Sequence, residues 1–161
     1  MNQSFARTEM LLGEGSIDKL KTKKVIVFGI GGVGGHAAEA LARCGIGSIS
    51  LVDPDVVNRS NINRQAVATI KTIGRKKIEV MKERILDINP DCEVEVFDSF
   101  YLPEKAEEFH LVQYDYIIDA IDTITGKIDL AVIADQMDIG IISAMGAGNK
   151  LDPTQFEVTD I

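Results

Sequence analysis

Gly29-Ile-Gly-Gly-Val-Gly34 comes directly after Val25-Ile-Val-Phe28 and leads into an apolar repeat at helical spacing that begins at Val33. The run before the glycines is short, apolar and β-branched, which is typical of a parallel strand buried on both faces. A glycine-rich turn between such a strand and a helix directs unpaired backbone N–H groups and the positive end of the helix dipole at an anion. The stretch therefore predicts a Rossmann-like fold with a phosphate-binding loop.

The rest of the chain continues the alternation of strands and helices. The residues Asn89-Pro90 close a helix that carries apolar residues from Ile78 to Ile88, and a second clear helical pattern covers Ile124–Met137. Further strands are expected at Ile49–Val52, Val94–Phe97, Tyr116–Asp119, Gly140–Ser143 and Gln155–Val158. This order predicts an α/β fold with a doubly wound, mainly parallel sheet.

The sequence divides into an arm and a core. Residues 1–22 form short helical segments interrupted by glycines. Residues 23–161 carry the strands and helices of a single nucleotide-binding domain. Since Gln155–Val158 begins another strand just before Ile161, we expect the C-terminal part of the sheet to lie beyond these residues.

Composition limits the classes of function. The 161 residues are 45% hydrophobic and 26% charged, with no apolar run that resembles a membrane span and no leader for export, so we expect a cytoplasmic protein without a membrane partner. A net charge of −8 argues against a broad electrostatic grip on nucleic acid. Cys44 and Cys92 are too few for a disulfide framework, and we expect both to be reduced packing residues.

Asp53 ends the second predicted strand, where a carboxylate binds ribose hydroxyls in dinucleotide-binding folds. The glycine loop and this aspartate fit NAD as well as ATP. What favours ATP is the polar run Ser60-Asn-Ile-Asn-Arg-Gln65, which lies just beyond the carboxyl end of that strand and exceeds what NAD requires.

Two cations and two carboxylates complete the predicted site. Arg64 and Lys77 offer positive charge to a triphosphate, whose bridging and leaving oxygens gain negative charge during transfer. Asp119 and Asp122 follow a later strand and are hard oxygen ligands suited to Mg²⁺ held jointly with phosphates, although either residue could instead cap the next helix.

Taken together, GIGGVG, Asp53-Pro-Asp55, SNINRQ, Lys77 and Asp119-Ala-Ile-Asp122 resemble the ubiquitin-activating-type adenylyltransferases over nearly the whole chain. Within that superfamily, several runs resemble the tRNA threonylcarbamoyladenosine dehydratases. These runs are AAEALARCGIG from Ala37, EVMKERILDINP from Glu79, AID from Ala120, Asp152-Pro-Thr-Gln155 and Val158-Thr-Asp-Ile161.

The resemblance implies roles for individual residues toward ATP and Mg²⁺. Asp122 would bind magnesium, and Arg7 in the arm would enter the partner's ATP site in a homodimer. Among the remaining residues, Gly31, Gly32 and Gly34 would contact the phosphates, Asp53 the ribose, and Asn61, Arg64, Gln65 and Lys77 the triphosphate. Gly29, Asp55, Asn63 and Asp119 are further expected nucleotide-binding residues, and the expected catalytic residues are Arg64, Lys77, Asp122 and Arg7.

The implied activity is ATP-dependent adenylation of a carboxylate, with the threonylcarbamoyl group of a tRNA adenosine as substrate, followed by cyclising dehydration. Three alternatives stay open. The same chemistry activates the C-terminal glycine of a ubiquitin-like sulfur carrier, which would bring a sulfur-carrier or desulfurase partner. An NAD-dependent oxidoreductase would need a proton donor, and the sequence offers His36 and His110 alone among histidines. The third alternative is not an enzyme but a domain that binds ATP without turnover.

Overall fold

The computed structural model describes residues 3–146, 148 and 151–160, so the first two residues of the arm and Ile161 lie outside the described residues. The helices are α1 (Ala6–Leu12), α2 (Ser16–Lys21), α3 (Gly34–Cys44), α4 (Lys77–Ile88) and α5 (Ile124–Met137). The strands are β1 (Lys24–Phe28), β2 (Ser48–Val52), β3 (Glu93–Phe97), β4 (Tyr116–Asp119) and β5 (Gly140–Ser143). Short 3₁₀ helices cover Gln3–Phe5, Arg59–Asn61, Pro103–Phe109, Leu111–Gln113 and Pro153–Gln155.

The five strands form one parallel sheet in the order β3-β2-β1-β4-β5. The chain moves outward on one side of β1 and then crosses to β4 on the other side, so the order reverses between these two strands. In open α/β sheets, ligands bind at such a reversal, outside the carboxyl ends of the strands. The turn after β1 begins with Gly29, and the turn after β4 contains Ala120–Asp122, so both lie at that place.

Two apolar layers enclose the sheet. On one face, Ala38 and Ala42 of α3 and Met81 of α4 pack against strand residues such as Val27 and Leu51. On the other face, Leu130 and Ala134 of α5 pack with Phe28 of β1, Phe109 and Tyr101. The ring of Phe28 meets those of Tyr101 and Phe109 edge to face, with centroids 4.9 and 5.3 Å apart. The predicted doubly wound sheet is confirmed.

Three sequence-based expectations fail in detail. The predicted strand Gln155–Val158 is not formed, since Gln155 ends a 3₁₀ helix and Val158 is 93% exposed without a neighbouring strand to pair with. The apolar repeat that begins at Val33 includes Ala37 and Ala40, but helix α3 buries Ala38 and Ala42 instead, and Ala40 is exposed. Cys44 is exposed at the end of α3 and so is not a packing residue, while Cys92 is buried as expected.

No helix among the described residues combines the length and the apolar character that a membrane crossing requires.

Candidate functional site

The glycines of the loop fall into two groups. Gly29 has a φ of +87°, and a Cβ there would lie 2.7 Å from the carbonyl oxygen of Ala120; a Cβ on Gly34 would lie 1.8 Å from the carbonyl oxygen of Gly29. These two positions exclude any larger residue because backbone atoms already occupy the space. The loop after β1 is therefore packed directly against the loop after β4.

Gly31 and Gly32 differ from those two glycines. A Cβ on Gly31 would come no closer than 3.8 Å to Gln65 Nε2, and a Cβ on Gly32 would come no closer than 3.5 Å to Arg64 Cγ. Neither residue has a positive φ in the left-handed region. Nothing within the described residues requires glycine at these two positions, whereas a phosphate that approaches the backbone would require it.

Asp53 holds the glycine loop to the end of β2. Its Oδ2 accepts the backbone N–H of Ile30 at 2.7 Å, and its Oδ1 accepts that of Asp55 at 2.8 Å. The side chain is buried, so both bonds form away from bulk water and are correspondingly strong. Asp53 thereby fixes where the loop stands relative to the sheet.

Lys77, the first residue of α4, contacts both Asp53 and Asp55. Its Nζ donates to Asp55 Oδ2 at 2.8 Å and lies 3.7 Å from Asp53 Oδ2, and its side chain is 6% exposed. The backbone N–H of Lys77 also donates to the carbonyl oxygen of Asp55, at 3.0 Å. Lys77 is therefore at the carboxyl end of β2, where its charge offsets two carboxylates, and its role toward a triphosphate stays a prediction.

Arg64 lies beside the open part of the loop. Its guanidinium is exposed, and Nη1 donates to the carbonyl oxygen of Ser60 at 3.1 Å and to Asn63 Oδ1 at 2.9 Å. The carbonyl oxygen of Arg64 is 3.2 Å from His36 Nε2 on the first turn of α3. Two of the five guanidinium donors are used in these bonds, and the other three have no partner among the described residues.

Gln65 and Asn61 are the buried members of the polar run. Asn61 Oδ1 accepts the backbone N–H of Asn58 at 2.9 Å, which caps the 3₁₀ turn. Gln65 is 8% exposed, and its Oε1 has no hydrogen-bond partner among the described residues. An unpaired buried carbonyl beside Gly31 is costly unless a bound group supplies a donor.

The two carboxylates after β4 have different surroundings. Asp119 is completely buried, and its oxygens accept from Lys127 Nζ at 3.1 Å each, from Ser143 Oγ, and from the backbone N–H of Ile121 at 3.2 Å. Asp122 is exposed, and no side chain in the described ranges bonds to its carboxylate. The protein itself bonds both oxygens of Asp119, and the role of this residue toward a nucleotide stays a prediction.

Arg7 is separate from the other predicted residues. It is exposed on α1, whose preceding residue Phe5 packs on Gly45 at the far end of α3 from the glycine loop. Helix α3 has 11 residues, so about 16 Å separates its two ends. Arg7 therefore belongs to the opposite end of the sheet from the phosphate loop of its own chain.

Sequence reasoning missed Lys127 and Ser143. A signal for Lys127 was present, since a lysine in the first turn of a helix is opposed by the helix dipole unless a carboxylate offsets it. Its partner is eight residues earlier, on β4, and Ser143 is on β5, so only the paired strands bring the three together.

Within the described residues, no group of three or more histidine, cysteine, aspartate or glutamate side chains is arranged to hold a metal ion. A magnesium ion bound with a nucleotide needs fewer, because it takes one or two carboxylates and completes its coordination with phosphates and water. Among the described residues, the exposed carboxylate of Asp122 has no hydrogen-bond partner from the protein, and Asp122 stays the predicted magnesium ligand.

Comparison with known proteins gives consistent results. The tRNA threonylcarbamoyladenosine dehydratase of Bacillus subtilis (strain 168) is 49% identical over 161 residues, which is all of this chain and 63% of that protein. The crystal structure of the E. coli tRNA N6-threonylcarbamoyladenosine dehydratase in complex with ATP has a TM-score of 0.95 and 45% identity, over 98% of this chain and 65% of that one. Its complex with AMP has a TM-score of 0.94 at the same identity and covers 98% of this chain and 64% of that one.

The chain spans about three fifths of the length of the curated relatives it matches, 63%, 59% and 61% for the first three. The family model described as the ThiF family matches residues 5–160. The chain therefore belongs to the ThiF family.

Proposed function

We propose that the protein containing this chain uses ATP to adenylate the carboxylate of threonylcarbamoyladenosine in tRNA and then closes that group into a ring. The observation that carries the proposal is the open face of the loop at Gly31 and Gly32, with Arg64 on one side and Asp122 after the adjacent strand. Anion-binding backbone, a cation and a free carboxylate are what a magnesium-bound triphosphate needs. The choice of substrate is based on the relatives, which are named as dehydratases of this tRNA nucleoside.

In the first step, a carboxylate oxygen of the substrate attacks the α-phosphorus of ATP. The bond from that phosphorus to the bridging oxygen breaks, and pyrophosphate leaves with the electron pair. The backbone N–H groups of Gly31 and Gly32 and the guanidinium of Arg64 stabilise the charge that develops on the phosphoryl oxygens. Mg²⁺, when held by Asp122 and the phosphates, would offset charge on the departing pyrophosphate.

In the second step, the carbamoyl nitrogen of the same group attacks the activated acyl carbon, loses its proton, and AMP leaves. The nucleoside thereby loses one water in total, because the oxygen departs with AMP. No nucleophile from the protein is required, and correct placement of the two reacting groups accounts for most of the rate. Cys44 ends α3, at the opposite end of that helix from the glycine loop, and the buried Cys92 comes just before β3, at the amino end of that strand.

In this proposal, the loop residues and Asp53 bind different parts of the nucleotide. Asp53 keeps the loop in place through Ile30 and retains lone pairs for ribose hydroxyls. Gln65, with its unpaired Oε1, accepts a donor from the bound nucleotide or its water. Lys77 contacts Asp53 and Asp55, and its positive charge reduces the negative potential of these carboxylates, which would otherwise repel a triphosphate.

We further propose a homodimer in which Arg7 reaches the partner's ATP, and a cytoplasmic setting, where tRNA is modified. The remote position of Arg7 from its own loop favours action across an interface. Mixing an Arg7→Ala chain with an Asp122→Ala chain tests this, since mixed dimers contain one intact site. Recovery of activity on mixing supports the arrangement, and two inactive proteins that stay inactive after subunit exchange contradict it.

The proposed function is tested by incubating the chain with Mg-ATP and tRNA that carries threonylcarbamoyladenosine. Mass spectrometry of the nucleosides should show loss of one water together with formation of AMP, and the E. coli dehydratase serves as the positive control. The Arg64→Ala variant and unmodified tRNA should give neither product. Pyrophosphate exchange that depends on a ubiquitin-like sulfur carrier, with no change in the tRNA, would instead identify the alternative substrate.

A second adenylation substrate has support of its own. A probable molybdopterin-synthase adenylyltransferase of Porphyra purpurea is 40% identical over 105 residues, 65% of this chain and 27% of that protein. The coverage is much lower than for the dehydratases, which match 99 to 100% of this chain at 42 to 49% identity. We therefore place the tRNA substrate first.

A further inference from the structure

The side chain of Lys127 lies below the loop that carries Asp122. It comes from the first turn of α5 and is only 11% exposed. Its Nζ contacts both oxygens of Asp119 at 3.1 Å, the carbonyl oxygen of Ala144 at 2.8 Å and Ser143 Oγ at 3.4 Å. An ammonium has three donors, so these four acceptors occupy it fully and leave none for a substrate.

Lys127 connects the ends of the two strands that leave the sheet at the proposed site. Asp119 is the last residue of β4 and pairs with Ser143, the last residue of β5. The backbone N–H of Ala144 also donates to the carbonyl oxygen of Asp119, at 2.8 Å. The ammonium thus fixes both strand ends at the point where each chain segment turns toward the ligand.

The fixed strand end sets the path of the next loop. Asp119 Oδ1 accepts the backbone N–H of Ile121 at 3.2 Å, so the carboxylate that Lys127 neutralises also orients the residue before Asp122. Between them, Ala120 packs on Gly29, with its carbonyl oxygen 2.7 Å from where a Cβ on Gly29 would be. The chain from Asp119 to Asp122 is therefore held at one end by Lys127 and along its length by the phosphate loop.

The position of Lys127 does not favour the stability of helix α5. Cations in the first turn face the positive end of the helix dipole, and α5 has no acidic residue in that turn. A buried ion pair is also weak evidence for stability, since desolvation offsets much of the attraction. A role in fixing the loop geometry accounts for a placement that helix stability and burial both disfavour.

We infer that Lys127 is a positioning residue of the nucleotide site, which by clamping Asp119 and the ends of β4 and β5 holds Asp122 where it meets the magnesium ion of Mg-ATP. The inference rests on the proposed function, because it assumes that Asp122 contacts that ion. Lys127 itself touches neither phosphate nor substrate. Its effect on binding must therefore pass through Asp122.

The test measures ATP affinity by calorimetry, once with Mg²⁺ and once with the metal chelated. In the wild type, Mg²⁺ should raise the affinity by about tenfold or more, which corresponds to about 1.4 kcal/mol. Lys127→Met should remove most of that increase and leave the affinity for metal-free ATP within about twofold, since the phosphate loop and Arg64 are unchanged. Lys127→Arg should retain part of the increase because it keeps the charge.

A variant that loses the lysine leaves a buried carboxylate unpaired and could fail to fold. The double variant Lys127→Met with Asp119→Asn removes both charges, so it should fold and still lack the magnesium increase. Lys23→Met is the matched control, since Lys23 pairs with Asp115 at 2.6 Å just before the other end of β4. It should leave both affinities unchanged.

The decisive comparison is with Asp122→Asn. If Lys127 acts through Asp122, the variant lacking both side chains should lose no more of the magnesium increase than Asp122→Asn alone. Losses that multiply, or a Lys127→Met protein with the full increase, would overturn the inference while leaving the proposed function intact. A wild type that does not bind ATP at all would instead overturn the proposed function.

Discussion

A methyl group on Gly34 would stand 1.8 Å from the carbonyl oxygen of Gly29, whereas one on Gly32 would meet nothing closer than 3.5 Å. The two glycines are two residues apart in the same loop, yet the protein itself requires only the first. The requirement at Gly34 comes from backbone packing. At Gly32 the protein leaves open space, which we propose that a phosphate fills.

The first prediction follows from that contrast. Gly34→Ala should lower the free energy of unfolding by about 3 kcal/mol or more, because backbone must move to admit the methyl group. Gly32→Ala should change it by less than about 1 kcal/mol and weaken Mg-ATP binding by about tenfold or more. Urea denaturation and calorimetry measure the two effects. A Gly32→Ala protein that binds Mg-ATP normally would contradict the role given to the loop.

Lys77 and its neighbour in sequence offer a second prediction. Lys77 is buried against Asp53 and Asp55, while Lys76 is 41% exposed and pairs with Asp98 at 2.9 Å. Lys77→Met should destabilise the fold by about 1 to 3 kcal/mol, since Asp53 loses the cation that offsets its buried charge. Lys76→Met should cost no more than about 1 kcal/mol, as is usual for exposed pairs. Equal losses for both, measured by urea denaturation, would show that burial does not matter here.

The third prediction concerns stability in acid. Hydrogen bonds from Arg84 and Arg43 lower the pKa of Glu39 from 4.5 to about 2. The unfolded chain therefore binds more protons than the folded one between these values, and this contribution to stability is present above about pH 4.5 and lost as the pH falls toward 2. Because the arginines are about half exposed, its size is on the order of 1 kcal/mol. Glu39→Gln should flatten the stability profile over that range, and an unchanged slope would contradict the pairing.

The fourth prediction uses the two thiols. Cys44 is exposed, whereas Cys92 is 4% exposed and burial raises its pKa to about 11. A thiol reagent at about pH 8 should modify one cysteine rapidly in the folded protein and the second only after unfolding, because the thiolate is the reactive form. Cys44→Ser should abolish the rapid phase. A rapid phase that survives this substitution would place Cys92 at the surface.

The sequence predicted the sheet and α5 well. The α5 boundaries at Ile124 and Met137 and the ends of β5 at Gly140 and Ser143 agree with the structure, because glycine, proline and apolar periodicity are local signals. The strand expected at Gln155–Val158 failed because a strand forms only with a neighbour to pair with, which local pattern does not supply.

The site shows the same division between local and long-range information. The glycine loop, Asp53 and Arg64 are close in the chain to the elements that position them, and the structure brings them to one edge of the sheet. The pairing of Lys127 with Asp119 was missed because it depends on how β4, β5 and α5 pack. The assignment of Asp119 to the nucleotide stays a prediction. Arg7 stays a prediction, since its role needs a second chain.

The central claim is that the open face of the loop binds Mg-ATP. The most direct measurement is a calorimetric titration of the chain with Mg-ATP and, separately, with NAD, in wild type and in Arg64→Ala. The account predicts that Mg-ATP binds, that NAD binds at least about tenfold more weakly, and that loss of Arg64 weakens Mg-ATP by about tenfold. Tight binding of NAD with none of Mg-ATP would contradict the account and leave only the fold.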